Sequence, residues 1–425
     1  MNRHIFLIAV ILFCACDTEK NIDNVFENQF MRMYGNAAEF DGVSMVVSPD
    51  NNIFILGQRS STLNTRRQAY LLKTDAEGNQ LWDIIIGSTQ DYIAKDIALD
   101  SEGRICVVVD YVTDGNTTNI RLIRISDDTS SASKLDSVSV GVSGVNDNAR
   151  SITVISDGSY IVAGSRYPDF LDNPFEGNDV KIASWRFTSQ LQPFETAAWN
   201  FNVSGFSDYS EVIAIHEGTV RPFYAFGSTN TQNLSGVVNS NPVTANFYAG
   251  SVENLGDVGA PIGRGNTNQQ NYLVAARKIP GQRYLLLGTS SSASIANRFE
   301  AEGDLYFAVV KEEPNNPFLE FEFPKDLNLG GNNLIPRDIA GTQTGNVLVC
   351  ADVNTPDRGT NILIVKLTAD GSRVWSRILN AAGNYKSSRV MELPDGRILV
   401  LGTAGLINQR KILLMKLNAN GEFLP

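Results

Sequence analysis

Histidine is the residue type that most sharply limits the chemistry of this 425-residue chain. There are two histidines, His4 close to the N-terminus and His216 near the middle. A zinc site built on three imidazoles would need more. A Ser-His-Asp triad needs only one, but His216 lies in a predicted His-Glu-Gly turn, and no Gly-x-Ser-x-Gly elbow precedes a helix. The sequence also lacks a flavin or quinone motif, so we predict no catalytic residue, no metal and no cofactor.

Carboxylates are the remaining candidates for catalysis, because a pair of acids can cleave a glycan without histidine. Asp169, Asp172, Glu176 and Asp208 fall in long predicted loops, and their spacing does not select a pair. A carboxylate-dependent glycan hydrolase or lyase is therefore the alternative function. It requires two acids about 5–10 Å apart in a deep axial pocket, with the pKa of one raised so that it can act as the acid.

The same loops contain side chains suited to binding. Three aromatic residues stand among acids between Arg166 and Glu176. Exposed aromatic rings anchor protein partners or stack on sugars, although Phe170 and Phe175 could instead fold back and pin their own loop. The candidate residues of a binding face are Tyr167, Asp169, Phe170, Phe175, Glu176, Asp208 and Tyr209. We therefore predict a binding or scaffolding module for a protein or a glycan.

The N-terminus predicts where the protein is located. Arg3 precedes a short apolar run, and Cys14-Ala15-Cys16 follows it. The run is too short to span a bilayer, and Ala15 is the small residue that a peptidase needs before its cut. The segment resembles a bacterial lipobox, which predicts a signal peptide over residues 1–15 and an acylated Cys16. An ordinary secretory signal that is cut nearby is the alternative.

The residues after the signal peptide and the net charge of the chain limit which partners are expected. Residues 16–25 form a polar, lipidated tether that begins Asp17-Thr18-Glu19, which resembles the acidic start of surface lipoproteins in the Bacteroidota. We therefore expect an outer-membrane lipoprotein, held by its lipid anchor at the cell surface or on the periplasmic face. Removal of Arg3 changes the formal charge from −11 to −12. A negative chain repels phosphate backbones, so nucleic acid is not an expected partner.

A repeated unit organises the remaining chain, residues 26–425. A tight polar turn leads into an apolar strand that usually closes on glycine, as in Asp157-Gly158 to Gly164 and Asp395-Gly396 to Gly402. The closing positions recur at intervals of 51 to 63 residues, at Gly57, Val109, Gly164, Gly227, Gly288, Ala351 and Gly402. Four short strands with their turns need about 40–60 residues. The repeat predicts an all-β, seven-bladed propeller of four-stranded blades in a single domain.

The two ends of the chain favour a closed ring over a solenoid. The seventh repeat stops at 425, before its fourth strand, and residues 28–35 supply an unmatched strand similar to 79–87. We predict that this N-terminal strand completes the last blade and removes an exposed sheet edge. With its Asp-Gly hairpin and Trp-bearing fourth strand, the unit resembles the tandem propeller repeat of secreted Bacteroidota proteins. That resemblance implies a fold rather than a function.

Several residue columns follow the repeat. The long connections fall on one side of the ring, which we call the long-loop face, and the tight turns lie on the opposite, short-turn face. We predict that the long-loop face binds. Acids at the entry of the innermost strands are expected to bond the local backbone, with a cation-binding ring as the alternative; they are Asp41, Asp91, Asp147 and Asp208. A solvated outer edge is predicted for Lys73, Lys311, Lys366 and Lys416. The tryptophans are expected to pack between blades, and Cys106 and Cys350 to be buried free thiols.

Overall fold

The computed structural model describes most of the chain from residue 29 onward. The described residues are 29–60, 66–87, 90–113, 117–128, 131–142, 144–168, 180–199, 210–230, 246–252, 258–264, 269–292, 299–314, 319–323, 325–327, 329, 334–355, 359–379, 383–406 and 409–423. They contain no α-helix, and none of their helical turns has the length and apolar character needed to cross a bilayer.

The described strands form seven antiparallel sheets, numbered here as blades 1 to 7. Blade 1 contains β2 (Glu39–Val47), β3 (Ile53–Ser60), β4 (Arg67–Thr74) and β5 (Gln80–Ile86). Blade 2 contains β6 (Tyr92–Leu99), β7 (Ile105–Val112), β8 (Thr118–Asp128) and β9 (Ser131–Val140). Blade 3 contains β10 (Val145–Val154), β11 (Tyr160–Pro168), β12 (Lys181–Phe187) and β13 (Pro193–Trp199). Blade 4 contains β14 (Ser210–Glu217), β15 (Phe223–Thr229), β16 (Asn246–Val252) and β17 (Val258–Arg264).

The remaining sheets follow the same order. Blade 5 contains β18 (Gln270–Ile279), β19 (Arg283–Ser291), β20 (Asp304–Glu312) and a divided outer strand, β21 (Leu319–Phe321) and β22 (Lys325–Leu327). Blade 6 contains β23 (Leu334–Gly341), β24 (Val347–Thr355), β25 (Gly359–Leu367) and β26 (Arg373–Leu379). Blade 7 contains β27 (Asn384–Glu392), β28 (Ile398–Leu406), β29 (Gln409–Leu417) and, as its outer strand, β1 (Phe30–Tyr34).

Ring closure by the N-terminal strand is confirmed. β1 pairs antiparallel with β29, from Phe30 opposite Lys416 to Tyr34 opposite Ile412. The inner strand of blade 1 also packs against blade 7. The first and last segments of the described chain therefore share one sheet, as the unmatched strand predicted.

The core is divided among the seven junctions between neighbouring blades, and each junction has its own buried apolar cluster. Trp82 and Trp185 are buried in two of these clusters and Trp375 packs against a third, which confirms packing between blades for these three tryptophans. Cys106 and Cys350 are buried and free, as predicted. Burial of Cys106 raises the pKa of its thiol to about 12, so the thiol stays protonated.

A β-bulge interrupts every inner strand at the same point of the repeat. The bulged residues are Val43, Lys95, Arg150, Ile213, Val274, Arg337 and Ser388. The bulge brings an inner-strand carbonyl close to the closing glycine of the second strand. A Cβ on Gly402 would stand 2.3 Å from the carbonyl oxygen of Lys386, and one on Gly227 would stand 1.8 Å from that of Glu211. The glycine of the repeat is therefore required by close backbone approach.

A polar residue directly after the closing position links one blade to the next. Its side chain accepts a hydrogen bond from the backbone N–H that precedes the next bulge. We call this bond the junction bond, and five junctions have it within the described residues, at 2.7–3.0 Å. The accepting side chain and the donating backbone N–H are, in turn, Thr403 and Gly42, Gln58 and Ala94, Asp110 and Ala149, Ser228 and Leu273, and Asp352 and Ser387. At the junction between blades 5 and 6, Thr289 holds the acceptor position, but the residue before the next bulge is Pro336, which has no N–H to donate. The Thr289 hydroxyl is therefore buried without a hydrogen-bond partner among the described residues.

The predicted solvated edge for the lysine column is wrong for three of its members. The side chain of Lys366 is 12 % exposed, and its ammonium lies 4.0 Å from Glu392 of blade 7. Lys73 is 4 % exposed and Lys416 is 1 % exposed. The Lys73 ammonium lies 2.7 Å from the Asp127 carboxylate of blade 2, and Lys416 donates to the backbone oxygen of Ala76. These lysines lie at junctions, where the neighbouring blade supplies the acceptor, so their stems pack while each ammonium keeps a hydrogen-bond acceptor. Lys311 has a half-exposed side chain and pairs with Glu313.

Candidate functional site

One of the predicted binding-face residues lies within the described part of the chain. Tyr167 is half-buried in β11, and its hydroxyl accepts a hydrogen bond from the Asn148 amide at 3.3 Å. Asp169, Phe170, Phe175, Glu176, Asp208 and Tyr209 lie outside the described residues, as does the lipidation candidate Cys16. The face that they define therefore remains a prediction.

The acids at the strand entries pair mainly with arginine. Asp147 is fully buried and receives two hydrogen bonds from Arg166, at 2.6 and 3.0 Å. Asp41 lies 3.4 Å from Arg410. Asp91 bonds both the backbone N–H and the guanidinium of Arg67. Backbone hydrogen bonding is confirmed for Asp91, and for Asp147, which also accepts from the backbone of Val142. Within the described residues, no three His, Cys, Asp or Glu side chains form a group that could hold a metal.

The geometry instead points to a cavity of about 810 Å³ on the ring axis. Inner strands of all seven blades line it with the residues that follow their bulges, such as Met45, Ile152 and Met391. Turn residues Pro49 and Ser101 also line it, and they join first to second strands. The cavity therefore opens on the short-turn face. We call it the axial pocket, and its volume lies in the range of small-ligand sites.

Four alternating charges from four blades form the inner wall of the axial pocket. Arg389 of blade 7 lies 2.8 Å from Asp96 of blade 2 and 3.5 Å from Asp338 of blade 6. Arg277 of blade 5 reaches Asp338 at 2.6 Å. Ser44 of blade 1 donates to Asp96 at 2.7 Å. We call Asp96, Arg389, Asp338 and Arg277 the axial charge row.

Both carboxylates of this row are nearly saturated with donors. Besides Arg389, Asp96 accepts from Ser44 and from the backbone N–H of Ile152 at 3.1 Å. Besides the two arginines, Asp338 accepts from the backbone N–H of Val390 at 3.2 Å. Burial opposes the charge on Arg389, but the two carboxylates outweigh it and raise the pKa of the guanidinium. The row is therefore a neutralised, hydrogen-bonded unit that holds blades together across the axis.

His216 lines the same pocket and has a structural role there. It is the penultimate residue of β14 rather than part of the turn, and its Nε2 lies 3.1 Å from the backbone oxygen of Ala276 in the next blade. Thr153 makes the corresponding bond to the oxygen of Ile215. Burial lowers the pKa of His216 to about 4, so the imidazole is neutral at pH 7. It serves as a hydrogen-bonding link between blades 4 and 5.

The other end of the axis is crossed by a short segment of blade 5, residues 299–302, which we call the strap. The Arg150 guanidinium of blade 3 lies 3.9 Å above the Phe299 ring. Glu300 pairs with Arg337 of blade 6 at 2.8 Å and with Lys386 of blade 7 at 3.1 Å. A loop of blade 5 that reaches blades 3, 6 and 7 must pass over the axis. The strap thus covers the long-loop end of the axis.

The axial charge row was missed from the sequence, although a signal exists. Lys95-Asp96 and Arg337-Asp338 are both a basic residue followed by an aspartate. They occupy equivalent positions in their repeats, because Lys95 lies 14 residues before the closing position Val109 and Arg337 lies 14 residues before Ala351. In both blades the basic residue is the bulge and pairs with the acid after the closing position, Asp110 or Asp352. The acid of each pair then turns into the axis.

Comparisons with known proteins support the fold. A family model described as a domain of unknown function (DUF5122) beta-propeller matches residues 393–423, which span β28 and β29. No curated protein matches the chain. Among solved structures, the chain is similar to an ulvan lyase, a polysaccharide lyase, with a TM-score of 0.57, 9% identity, and coverage of 93% of this chain and 98% of that one. It is also similar to YCF48 from Cyanidioschyzon merolae, with a TM-score of 0.50, 11% identity, and coverage of 91% and 98%. At these identities the likeness is one of fold alone.

Proposed function

We propose that the chain is a binding propeller of the bacterial envelope, anchored through a lipid on Cys16, whose protein or glycan ligand enters the axial pocket. The observation that carries this proposal is the pocket of about 810 Å³ that opens on the short-turn face. Its wall combines apolar side chains, such as Met45 and Val154, with polar groups at its base. Such a mixture suits a ligand that is part apolar and part polar.

The state of the acids favours binding over hydrolysis at this pocket. A general acid needs a carboxyl whose pKa is raised and whose proton is free to move. Asp96 and Asp338 instead face guanidinium groups and backbone donors. Both carboxylates are therefore held in place by their donors, as structural groups are. The likeness to ulvan lyase adds a shared fold and no catalytic residue.

The envelope anchor is part of the same proposal and has a direct test. Metabolic labelling with an alkyne fatty acid should mark the wild-type chain and fail to mark Cys16→Ser. Protease treatment of intact cells should then report whether the protein faces the outside. Labelling of the Cys16→Ser chain at wild-type level would contradict the assignment.

The binding site is tested by blocking the mouth of the pocket. Ser101 is an exposed turn residue at the mouth, and Ala369 is the exposed residue at the same position of a turn between the third and fourth strands, away from the pocket. Soluble residues 22–425 would be applied to a glycan array as wild type, Ser101→Trp and Ala369→Trp. Binding that is lost only in Ser101→Trp supports the proposal. Product release from a bound glycan would instead favour the hydrolase or lyase.

Protein ligands need a second arm. A photo-crosslinking amino acid placed at 101 or at 369 in cells would capture whatever lies against each turn. We expect a discrete adduct from position 101 alone. If neither position gives an adduct and the array is blank, the axial pocket is not the binding site.

A further inference from the structure

The outer rim of the ring is apolar over one arc. Blades 6, 7 and 1 are consecutive around the ring, and their outer strands β26, β1 and β5 carry large apolar side chains that are 41–52 % exposed. We call them the apolar rim: Met31, Met33, Leu81, Ile85, Val374 and Ile378. Six such side chains close together differ from the single exposed apolar residues of ordinary surfaces.

An open groove runs through the middle of the apolar rim. Between blades 6 and 7, a cavity of about 260 Å³ is lined by apolar side chains, among them Met31, Ile378, Leu379 and Phe423. Ile362, Leu413 and Met415 form the buried base of this cavity, whereas Met31 and Ile378 are 41 and 46 % exposed. The rim is therefore an uneven apolar surface with room for small apolar groups.

The apolar rim also carries exposed basic side chains. Arg32 and Arg373 are exposed on β1 and β26. Arg377 of β26 is paired with Glu422 at 2.7 Å, and Asp83 of β5 is an exposed acid. The outer strands of blade 5, which is next to blade 6 in the ring, present the exposed acids Glu320 and Asp326. The apolar rim thus carries two exposed arginines, and an acidic arc borders it on the side of blade 5. An apolar surface with interspersed arginine fits an interface of apolar chains and anionic headgroups.

The chain also enters the ring at this arc. β1 is the first described strand, and it contributes Met31 and Met33 to the apolar rim. Gln29 lies thirteen positions after Cys16 in the sequence. A chain of that length spans at most about 45 Å. A lipid on Cys16 would therefore keep the bilayer within about 45 Å of the apolar rim.

We infer that the apolar rim rests on the surface of a phospholipid bilayer with anionic headgroups, so that the ring stands on its edge. The inference rests on the proposed anchoring for its cellular setting. Its chemistry does not depend on the anchor, because the rim would adsorb to lipid without an acyl chain. Failure of Cys16 lipidation and failure of rim adsorption are therefore separate results.

The test measures vesicle binding by residues 22–425, which lack Cys16 and contain every described strand of the ring. The vesicles are phosphatidylcholine alone or a 70:30 mixture of phosphatidylcholine and phosphatidylglycerol, at two salt concentrations. The variant is Ile85→Glu/Val374→Glu, at residues that are 48 and 52 % exposed. The matched control is Leu135→Glu/Phe194→Glu, at residues of β9 and β13 that are 51 and 52 % exposed.

We expect the wild type and the control to bind the mixed vesicles more strongly than phosphatidylcholine, and less strongly at high salt. The rim variant should lose about tenfold or more of its partition coefficient. No binding by the wild type, or equal loss in both variants, would overturn the inference. A wild-type dimer in light scattering that becomes a monomer only in the rim variant would overturn it as well, because the rim would then be a self-interface.

Discussion

The two ends of the propeller axis are built from the same seven inner strands, yet one end is covered and the other is open. At the long-loop end, basic residues at the bulges, such as Arg150 and Arg337, reach outward to acids and to the strap. At the short-turn end, Asp96 and Asp338 turn inward and leave a pocket above them. Because the bulge shifts the side-chain alternation by one residue, a basic-acidic pair in sequence is split between the two ends. One backbone irregularity thus assigns opposite roles to adjacent residues.

The largest expected difference between the ends is the cost of removing a charge. Arg389→Met leaves Asp96 and Asp338 buried with one guanidinium fewer, and should lower the free energy of unfolding by about 3–5 kcal/mol. Lys386→Met removes the ion pair of two half-exposed groups at the other end and should cost at most about 1 kcal/mol. Urea unfolding measures both values. Equal losses would mean that the axial charge row is not the more tightly held of the two networks.

The open end should also be the more sensitive to acid, through His216. Its pKa is about 4 in the folded chain, below the ordinary value of about 6.5. The unfolded chain therefore binds the proton more tightly, so stability is full above pH 6.5 and falls as the pH drops toward 4. Between pH 7.5 and 5 this group should cost about 2 kcal/mol. His216→Gln keeps a donor for Ala276 without titrating, and parallel unfolding curves for the two proteins at both pH values would contradict the assignment.

The junction bonds allow two equivalent positions of the repeat to be compared, with a smaller expected change in the free energy of unfolding. Ser228→Ala leaves the N–H of Leu273 without its acceptor and should destabilise by about 1–2 kcal/mol. Thr289→Val removes a buried hydroxyl that faces Pro336 and has no partner within the described residues, so we expect no loss of stability. Thermal and urea unfolding should separate the two variants. A larger loss in Thr289→Val would show that its hydroxyl is satisfied in solution.

The smallest expected effect concerns the strap. Glu300 is about half exposed, so Glu300→Gln should change the free energy of unfolding by less than about 1 kcal/mol. Loss of its ion pairs with Arg337 and Lys386 should nevertheless speed amide exchange in a peptide that covers 299–303. Global stability and local exchange therefore respond differently. Unchanged exchange would mean that Phe299 and Arg150 hold the strap without Glu300.

The architecture could be predicted from the sequence because each repeat carries its own local evidence. Turn glycines such as Gly158 and Gly396 have positive φ, as their hairpins require. The unmatched first strand predicted the closure of the ring. These signals involve residues close together in sequence, and they recur in each of the seven repeats.

The site was not predictable in the same way, because its residues meet across the ring. Asp96 and Arg389 are 293 positions apart, and only closure brings them into contact. Lys73 was misjudged for the same reason, since its partner Asp127 belongs to the next blade. Loop length predicts the long-loop face, and that face remains a prediction. Loop length carries no information about the axial pocket, because the turns that line the pocket are short.

The pairing of β1 with β29 has a consequence for how the protein is made. Of the strands that the structure describes, the first to be synthesised, β1, pairs with the last, β29. The ring therefore cannot close until β29 has been made. Until then β1 presents an unpaired edge with Met31 and Met33, which invites pairing with the wrong strand. Folding of this chain should therefore depend on chaperones that shield such an edge until β29 has been made.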